Sequence, residues 1–290
     1  MIKLLFIINP TAGNKTSNLT HDKILSILQP ETFSFDISYT KPNFLADKIV
    51  KENLEKYDVF VAVGGDGTIN EVGKELIGTN KKMAIIPAGS GNGLARSLGI
   101  PMQTFKALEV IKRMSSIRID AIKVNDNYFF NMAGVGFDAY IARKFQGKKK
   151  RGLGGYAKLV ARKFFNYKGK KYRIVMNGHS YHEKAFLISF ANTSQYGNNA
   201  HIAPMAKYND GVFELCVVKD FPRWKTPELA VRLFKKTIHH SPYYYSKSLE
   251  DLEIKRNGKI VTHLDGESRI FKKSIKIRVI PKALKVISGN

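Results

Sequence analysis

The sequence predicts a two-domain α/β protein, with an N-terminal parallel sheet flanked by helices and a C-terminal antiparallel β domain. Three observations carry this. Four apolar runs of strand composition occupy the N-terminal third, and each ends in a turn-forming loop followed by helical periodicity. Two of those loops are glycine-rich, at 64–67 and 87–93. From near residue 120 the rhythm changes to short strand-like runs separated by Asx-Gly pairs.

The elements follow in order. Lys3–Ile8 reads as a strand ending in Asn9, Pro10, Thr11, Ala12 and Gly13, and Leu19–Leu28 has helical spacing. Phe35–Tyr39 is a second strand, stopped at Thr40-Lys41-Pro42-Asn43 and followed by a helix over Phe44–Leu54. Tyr57–Val63 is the third; after its glycines, Ile69, Val72, Leu76 and Ile77 recur on one helical face from Thr68 onward. Met83–Ile86 is the fourth, followed by the loop 87–93 and a helix through Leu94, Arg96 and Leu98. Repeated strand–loop–helix units argue a parallel sheet with right-handed crossovers. All four loops then share the carboxyl edge, where open α/β sheets bind ligands.

Val61–Glu71 (VAVGGDGTINE) is the most informative stretch. Gly64, Gly65 and Gly67 permit positive φ and close backbone approach. A glycine turn leading into a helix offers free N–H groups and a positive dipole end, which suit a phosphate. It is neither the Rossmann fingerprint, since Asn70 stands where the third glycine belongs, nor a P-loop, since Gly73-Lys74 is followed by Glu75. Asp66 puts a carboxylate inside the cradle, so a phosphate there implies Mg²⁺ or another strong positive field between the two anions. A plainer reading is local: Gly-Asp-Gly is good turn chemistry, and Thr68-x-x-Glu71 has the form of a capping box.

After a helix over Phe105–Met114, Arg118–Val124 and Tyr128–Ala133 flank Asn125-Asp126-Asn127. Arg173–Met176 and Lys184–Ala191 flank Asn177-Gly178, and Val212–Val218 follows Asp210-Gly211. Ile254–Arg256 and Lys259–Leu264 flank Asn257-Gly258, with Asp265-Gly266 next. Such punctuation argues an antiparallel sheet or sandwich beginning near residue 120.

With 48 Lys+Arg against 24 Asp+Glu the net charge is +24, which predicts an anionic partner: nucleic acid, an acidic membrane surface or phosphorylated small molecules. The single Cys216 excludes an internal disulfide and fits a reducing cytoplasm. Leu4–Ile8 is too short for a secretory segment, and no apolar run approaches a membrane span. Residues 139–182 carry thirteen Lys and Arg without one acid, including Lys148–Arg151. Tyr156, Leu159, Val160 and Phe164 share a helical face there, so the stretch reads as a basic amphipathic segment for an anionic membrane surface, or as a solvated face over a core helix. No nucleic-acid motif or aromatic stacking pattern accompanies the charge.

Six motifs occur in order: INPTAG (8–13), VGGDGTINE (63–71), IPAGSGNGLAR (86–96), YFFNMAGVGFDA (128–139), IAPMAKYNDGVFEL (202–215) and HLDGES (263–268). On these the chain resembles, nearly end to end, the diacylglycerol kinase catalytic family of bacterial lipid kinases, related to sphingosine and ceramide kinases and more remotely to NAD kinases. The resemblance implies an NAD-kinase-like α/β nucleotide-binding domain over 1–120, a β-sandwich acceptor domain over 121–273, and a return of 274–290 to the first domain. It implies an ATP site at Asn9, Pro10, Thr11, Ala12, Gly13, Thr40, Gly65, Asp66, Gly67, Thr68, Ile69, Asn70, Glu71 and Ser90. Asp66 is similar to the carboxylate that organises catalytic Mg²⁺, and Asp120 to a further acid of the active-site network. A structural Mg²⁺ is expected on Lys207, Asp210 and Val212. Asp265 and Glu267 match the acidic pair that activates the acceptor hydroxyl, although Asp-Gly between strands is also an ordinary hairpin turn.

One departure concerns Gly89-Ser90-Gly91-Asn92-Gly93, where bacterial diacylglycerol kinases of this type commonly read Gly-Thr-x-Asn-Asp. Serine preserves a phosphate donor, but the acceptor lipid is left open. The expected protein is a cytoplasmic, peripherally membrane-associated lipid kinase that uses ATP and Mg²⁺ on a diacylglycerol-like hydroxyl. A homodimer is compatible with this and no nucleic-acid partner is expected. Sphingoid-base or other lipid kinases and NAD kinase are the enzyme alternatives. The non-enzyme alternative is a protein that binds anionic membranes or nucleic acid by charge alone.

Overall fold

The computed structural model describes residues 1–13, 19–145 and 163–290. It divides into two compact units: Met1–Ala121 with Tyr208–Asp210 and Ile280–Asn290, and Ile122–Lys207 with Gly211–Val279. The basic run Lys148–Arg151 and the apolar positions Tyr156, Leu159 and Val160 lie outside the described residues.

In the first unit β1 (Ile2–Ile8), β2 (Phe33–Tyr39), β3 (Val59–Gly64) and β4 (Lys82–Pro87) are parallel, in the order β4-β3-β1-β2. Leu4–Ile8, Val59–Val63 and Met83–Ile86 are buried without alternation, as expected of strands covered on both faces. Edge strand β2 is only half-buried. The helices α1 (His21–Leu25), α2 (Ala46–Asn53), α3 (Asp66–Leu76), α4 (Gly93–Ser97) and α5 (Thr104–Arg113) connect and cover the sheet. Apolar residues one turn apart turn inward: Ile49 and Val50 on α2, Ile69, Val72 and Leu76 on α3, Ala107, Leu108 and Ile111 on α5. The helix expected over Leu19–Leu28 is confined to His21–Leu25, because Ser26 Oγ bonds back to the Lys23 carbonyl and Pro30 cannot continue the turn.

The second unit is antiparallel. β5 (Ser116–Val124) starts in the first unit, and its Ile122–Val124 form a hairpin with β6 (Asn127–Phe129), as β8 (Lys170–Met176) does with β9 (His179–Ala191) around Asn177-Gly178. β7 (Met132–Gly136), β10 (Phe213–Lys219), β11 (Tyr244–Leu249) and β12 (Asp251–Leu264) complete the ladders, in the order β11-β10-β9-β7-β12. β8 pairs with both β9 and β12. Asn257-Gly258 does not separate two strands as expected: β12 runs through it, the register shifting between Lys255 and Lys259 while Gly258 takes φ +89°. A bulge absorbs the left-handed glycine without ending the ladder. Helices α6 (Phe137–Phe145) and α7 (Thr226–Phe234) also belong to this unit.

β13 (Glu267–Ile287) pairs antiparallel with β12 over Glu267–Arg278 and then parallel with β4 at Lys285 and Val286. Ser274–Val279 belong to the second unit and Ile280–Asn290 to the first. The fully buried Asp120 holds this return: its Oδ1 accepts the Lys282 N–H at 2.7 Å.

Candidate functional site

The loops after β1, β3 and β4 close on one another at the carboxyl edge of the parallel sheet. Asn9 Nδ2 donates to Thr68 Oγ1 at 3.1 Å, and Asn9 Oδ1 accepts the Thr11 N–H and hydroxyl at 3.0 and 2.8 Å. Gly13, at φ +79°, lies so near the Ala88 carbonyl that a Cβ would stand 2.6 Å from its oxygen. Gly65 and Gly89 are in backbone contact: a Cβ on Gly89 would meet the Gly65 Cα at 2.6 Å. The 64–67 glycines were expected to supply positive φ, and they do not, since Gly65 is extended at φ −95°. Absence of a side chain matters at Gly65 for close approach.

Helix α3 starts at Asp66 with Gly65 as N-cap, so the capping-box reading of Thr68 and Glu71 fails. Thr68 Oγ1 faces Asn9, and Glu71 Oε2 accepts the Ala46 N–H at 3.1 Å. Asp66 sits in the first turn, where the dipole favours a carboxylate, and its two oxygens accept the Asn92 and Gly93 N–H groups at 2.9 and 3.0 Å. Asn92 is left-handed, caps α4, and grips Gly89 through its amide: Oδ1 accepts the Gly89 N–H and Nδ2 donates to the Gly89 carbonyl. Asp66 and Asn92 together tie the two glycine loops to each other, and the Gly89, Asn92 and Gly93 N–H groups are bonded within this clamp.

Thr40 is buried at the end of β2, its N–H bonded to the Ile8 carbonyl. Ser90 is exposed at the tip of the β4–α4 loop; Asn70 and Glu71 are half-buried on α3, and Gly67 and Ile69 belong to the same helix. Pro10 and Thr11 are exposed, and Ala12 donates its N–H to the Asn9 carbonyl. Asp120 donates its own N–H to the Tyr208 carbonyl at 2.7 Å and so bears on β13 and the 208 turn. Lys207 and Asp210 are exposed and Val212 half-buried in an irregular segment, with Gly211 at φ +79°. Two backbone carbonyls and a carboxylate are hard oxygen donors of the kind Mg²⁺ takes. Among the described residues no three His, Cys, Asp or Glu side chains cluster as a metal site.

In the second unit Asp265 and Gly266, at φ +46° and +87°, form the two-residue turn between Leu264 and Glu267. Asp265 is buried all the same, and its carboxylate accepts the backbone N–H groups of Phe130, Asn131 and Met132, each at 3.0 Å. Glu267, two residues on, is exposed.

A polar cluster beside this turn escaped the sequence reading. His263 Nε2 lies 3.1 Å from Asp138 Oδ2, and Ser189 Oγ and Tyr196 Oη each stand 3.3 Å from the same oxygen. Ser189 and Tyr196 also bond to each other. Burial, with the Asp138 carboxylate adding to it, pushes the Tyr196 phenol well above its ordinary range. Asp138 sits inside the GVGFDA motif, so a carboxylate in the first turn after a glycine-rich strand was its available signal.

Solved kinases share this architecture of a parallel sheet with glycine loops at its carboxyl edge followed by an antiparallel domain. A solved diacylglycerol kinase from Bacillus anthracis str. Sterne shares the fold with a TM-score of 0.75 at 21% identity, over 99% of this chain and 97% of that one. An NAD kinase from Archaeoglobus fulgidus, solved in complex with ATP, does so at 0.55 and 14%, over 99% and 94%. Residues 3–124 match the diacylglycerol kinase catalytic domain, and residues 131–288 the YegS C-terminal NAD kinase beta sandwich-like domain. A Klebsiella pneumoniae protein named "Probable lipid kinase YegS-like" is 30% identical over 90% of this chain and 88% of its own. A Yersinia enterocolitica protein of the same name is 31% identical over 78% and 77%. The chain belongs to the YegS-like family of lipid kinases, phosphotransferases with an alcohol acceptor.

Proposed function

We propose that this chain is an ATP- and Mg²⁺-dependent lipid kinase that moves the γ-phosphate of ATP to the hydroxyl of a diacylglycerol-like lipid at an anionic membrane surface. The observation that carries this is the Asp66–Asn92–Gly89 clamp, which makes the two glycine loops one backbone surface too close for any side chain. Backbone N–H groups at a helix N-terminus neutralise phosphate charge without reorganising during transfer. Ser90 adds a hydroxyl donor at the loop tip. Mg²⁺, when bound, supplies the remaining neutralisation of the phosphates. Asp66 is the carboxylate assigned to it at this site, and the Lys207–Val212 turn carries the structural ion.

Transfer breaks the bond from the γ-phosphorus to its bridging oxygen and forms one to the lipid oxygen, while the hydroxyl proton passes to a carboxylate. Asp265 is assigned that proton and Glu267 supports it. Three N–H donors hold the Asp265 carboxylate in one orientation. A loose transition state takes the proton late, so orientation matters more than basicity. The deciding experiment is transfer of labelled γ-phosphate to diacylglycerol, sphingoid base and other lipids in mixed micelles, with NAD⁺ as control. Transfer to diacylglycerol with none to NAD⁺ is the expected outcome; transfer to NAD⁺ alone would refute the lipid reading.

A further inference from the structure

Helix α7 has two apolar faces, and the fold uses one. Leu229 is buried and Leu233 packs beside it in the cluster that holds Ile238 and Tyr244. On the other side Trp224, Val231 and Phe234 are 73%, 51% and 60% exposed, with Pro227 exposed between them. Pro227, Val231 and Phe234, four and three residues apart, share one stripe of α7, and Trp224 stands in the 3-10 turn Arg223–Lys225 that leads into it. Four cations flank it (Lys225, Arg232, Lys235 and Lys236) against one acid, Glu228, which is paired to Lys225 and Arg232, while Arg223 turns inward onto Asp220 and the Phe221 and Tyr167 carbonyls. Lys225 Nζ stands 4.7 Å from the centre of the Trp224 ring.

We infer that this ridge is a membrane-docking surface, inserting Trp224, Val231 and Phe234 into the interfacial layer of an anionic bilayer while the flanking cations meet lipid phosphates. Tryptophan favours that layer, and the pattern of apolar stripe and basic flanks is that of an interfacial helix. Charge selects the bilayer over a second copy of this chain. A two-fold pairing through the ridge would set its net positive charge, Lys235 and Lys236 above all, against the same charge, whereas anionic lipid complements it. The inference shares with the proposed function only the bilayer as partner. Docking is measured without nucleotide or acceptor, so it stands or falls separately from phosphotransfer.

Trp224 is the chain's single tryptophan, so its fluorescence reports on the ridge alone. Titration of the intact protein with phosphatidylglycerol–phosphatidylcholine vesicles should shift its emission to the blue, and lipids brominated along the chain should quench it. Pure phosphatidylcholine should do neither at physiological salt. Val231→Asp with Phe234→Asp should lower vesicle affinity at least about tenfold, the scale of removing one apolar side chain from a buried position. Both positions are exposed, and circular dichroism of the variant confirms its fold. Vesicle binding with unmoved Trp224 emission would overturn the inference and assign docking to another surface such as the basic run 148–151. So would no binding, or a blue shift that tracks protein concentration without lipid and marks a dimer.

Discussion

Asp66 Oδ2 accepts the backbone N–H of Asn92 at 2.9 Å, and Asn92 passes that hold to Gly89 through its side-chain amide. The carboxylate expected to face a cation is thus also a strut between two loops. Asp66→Asn should therefore do more than abolish turnover. One oxygen becomes an NH₂ facing an N–H donor, so unfolding free energy should fall by roughly 1–3 kcal/mol. Denaturant unfolding and a kinase assay on one sample check this. Unchanged stability with lost turnover would assign Asp66 to phosphate and metal alone.

Gly89→Ala should lose nucleotide binding. Its Cβ would stand 2.6 Å from the Gly65 Cα, and a backbone neighbour cannot swing aside as a flexible side chain can. Overpacking of this kind costs roughly 1–3 kcal/mol, and any relief separates the two loops. Calorimetric titration with ATP measures it; parental affinity in the variant would show that the loops need not touch.

Asp265→Asn has a different expected outcome from that of an isolated hairpin turn, where asparagine at positive φ is nearly neutral. Here three N–H groups converge on the carboxylate from Phe130, Asn131 and Met132. An amide accepts only through its single oxygen, so the variant should lose roughly 1–3 kcal/mol of stability along with lipid phosphorylation. Exposed Glu267 should separate the two effects: Glu267→Gln keeps the parental melting temperature and lowers kcat. A fully stable Asp265→Asn would contradict the three-donor account.

Mg²⁺ should raise the melting temperature of the parent protein and EDTA lower it, because a ligand bound only by the native state adds stability. Asp210→Ala should abolish that difference. A parent whose melting ignores both would remove the structural ion from Lys207–Val212.

Cys216 should resist alkylation in the folded protein. It is fully buried with its Sγ 3.2 Å from the Tyr244 hydroxyl, and burial pushes the thiol up to about 12. Below that pH the reactive thiolate is scarce. Iodoacetamide labelling followed by mass spectrometry should show modification only in denaturant.

By itself the sequence determined what depends on near neighbours. The continuous apolar runs at Leu4–Ile8 and Val59–Val63, the 3.6-residue spacing of Ile69, Val72 and Leu76, and the turns at Asn177-Gly178 and Asp265-Gly266 are set by residues a few positions apart. Such local preferences, repeated in order, define the parallel sheet, the antiparallel ladders and the position of the glycine loops. What only tertiary structure decided is what each carboxylate does. Asp66 meets Asn92 across 26 residues, His263 meets Asp138 across 125, and Asp265 meets Phe130 across 135. A carboxylate has no partner written beside it in the chain. It takes the N–H or imidazole that strand pairing brings within 3 Å or so, and at Asp265 that turned an ordinary hairpin residue into a buried anion held by three backbone groups.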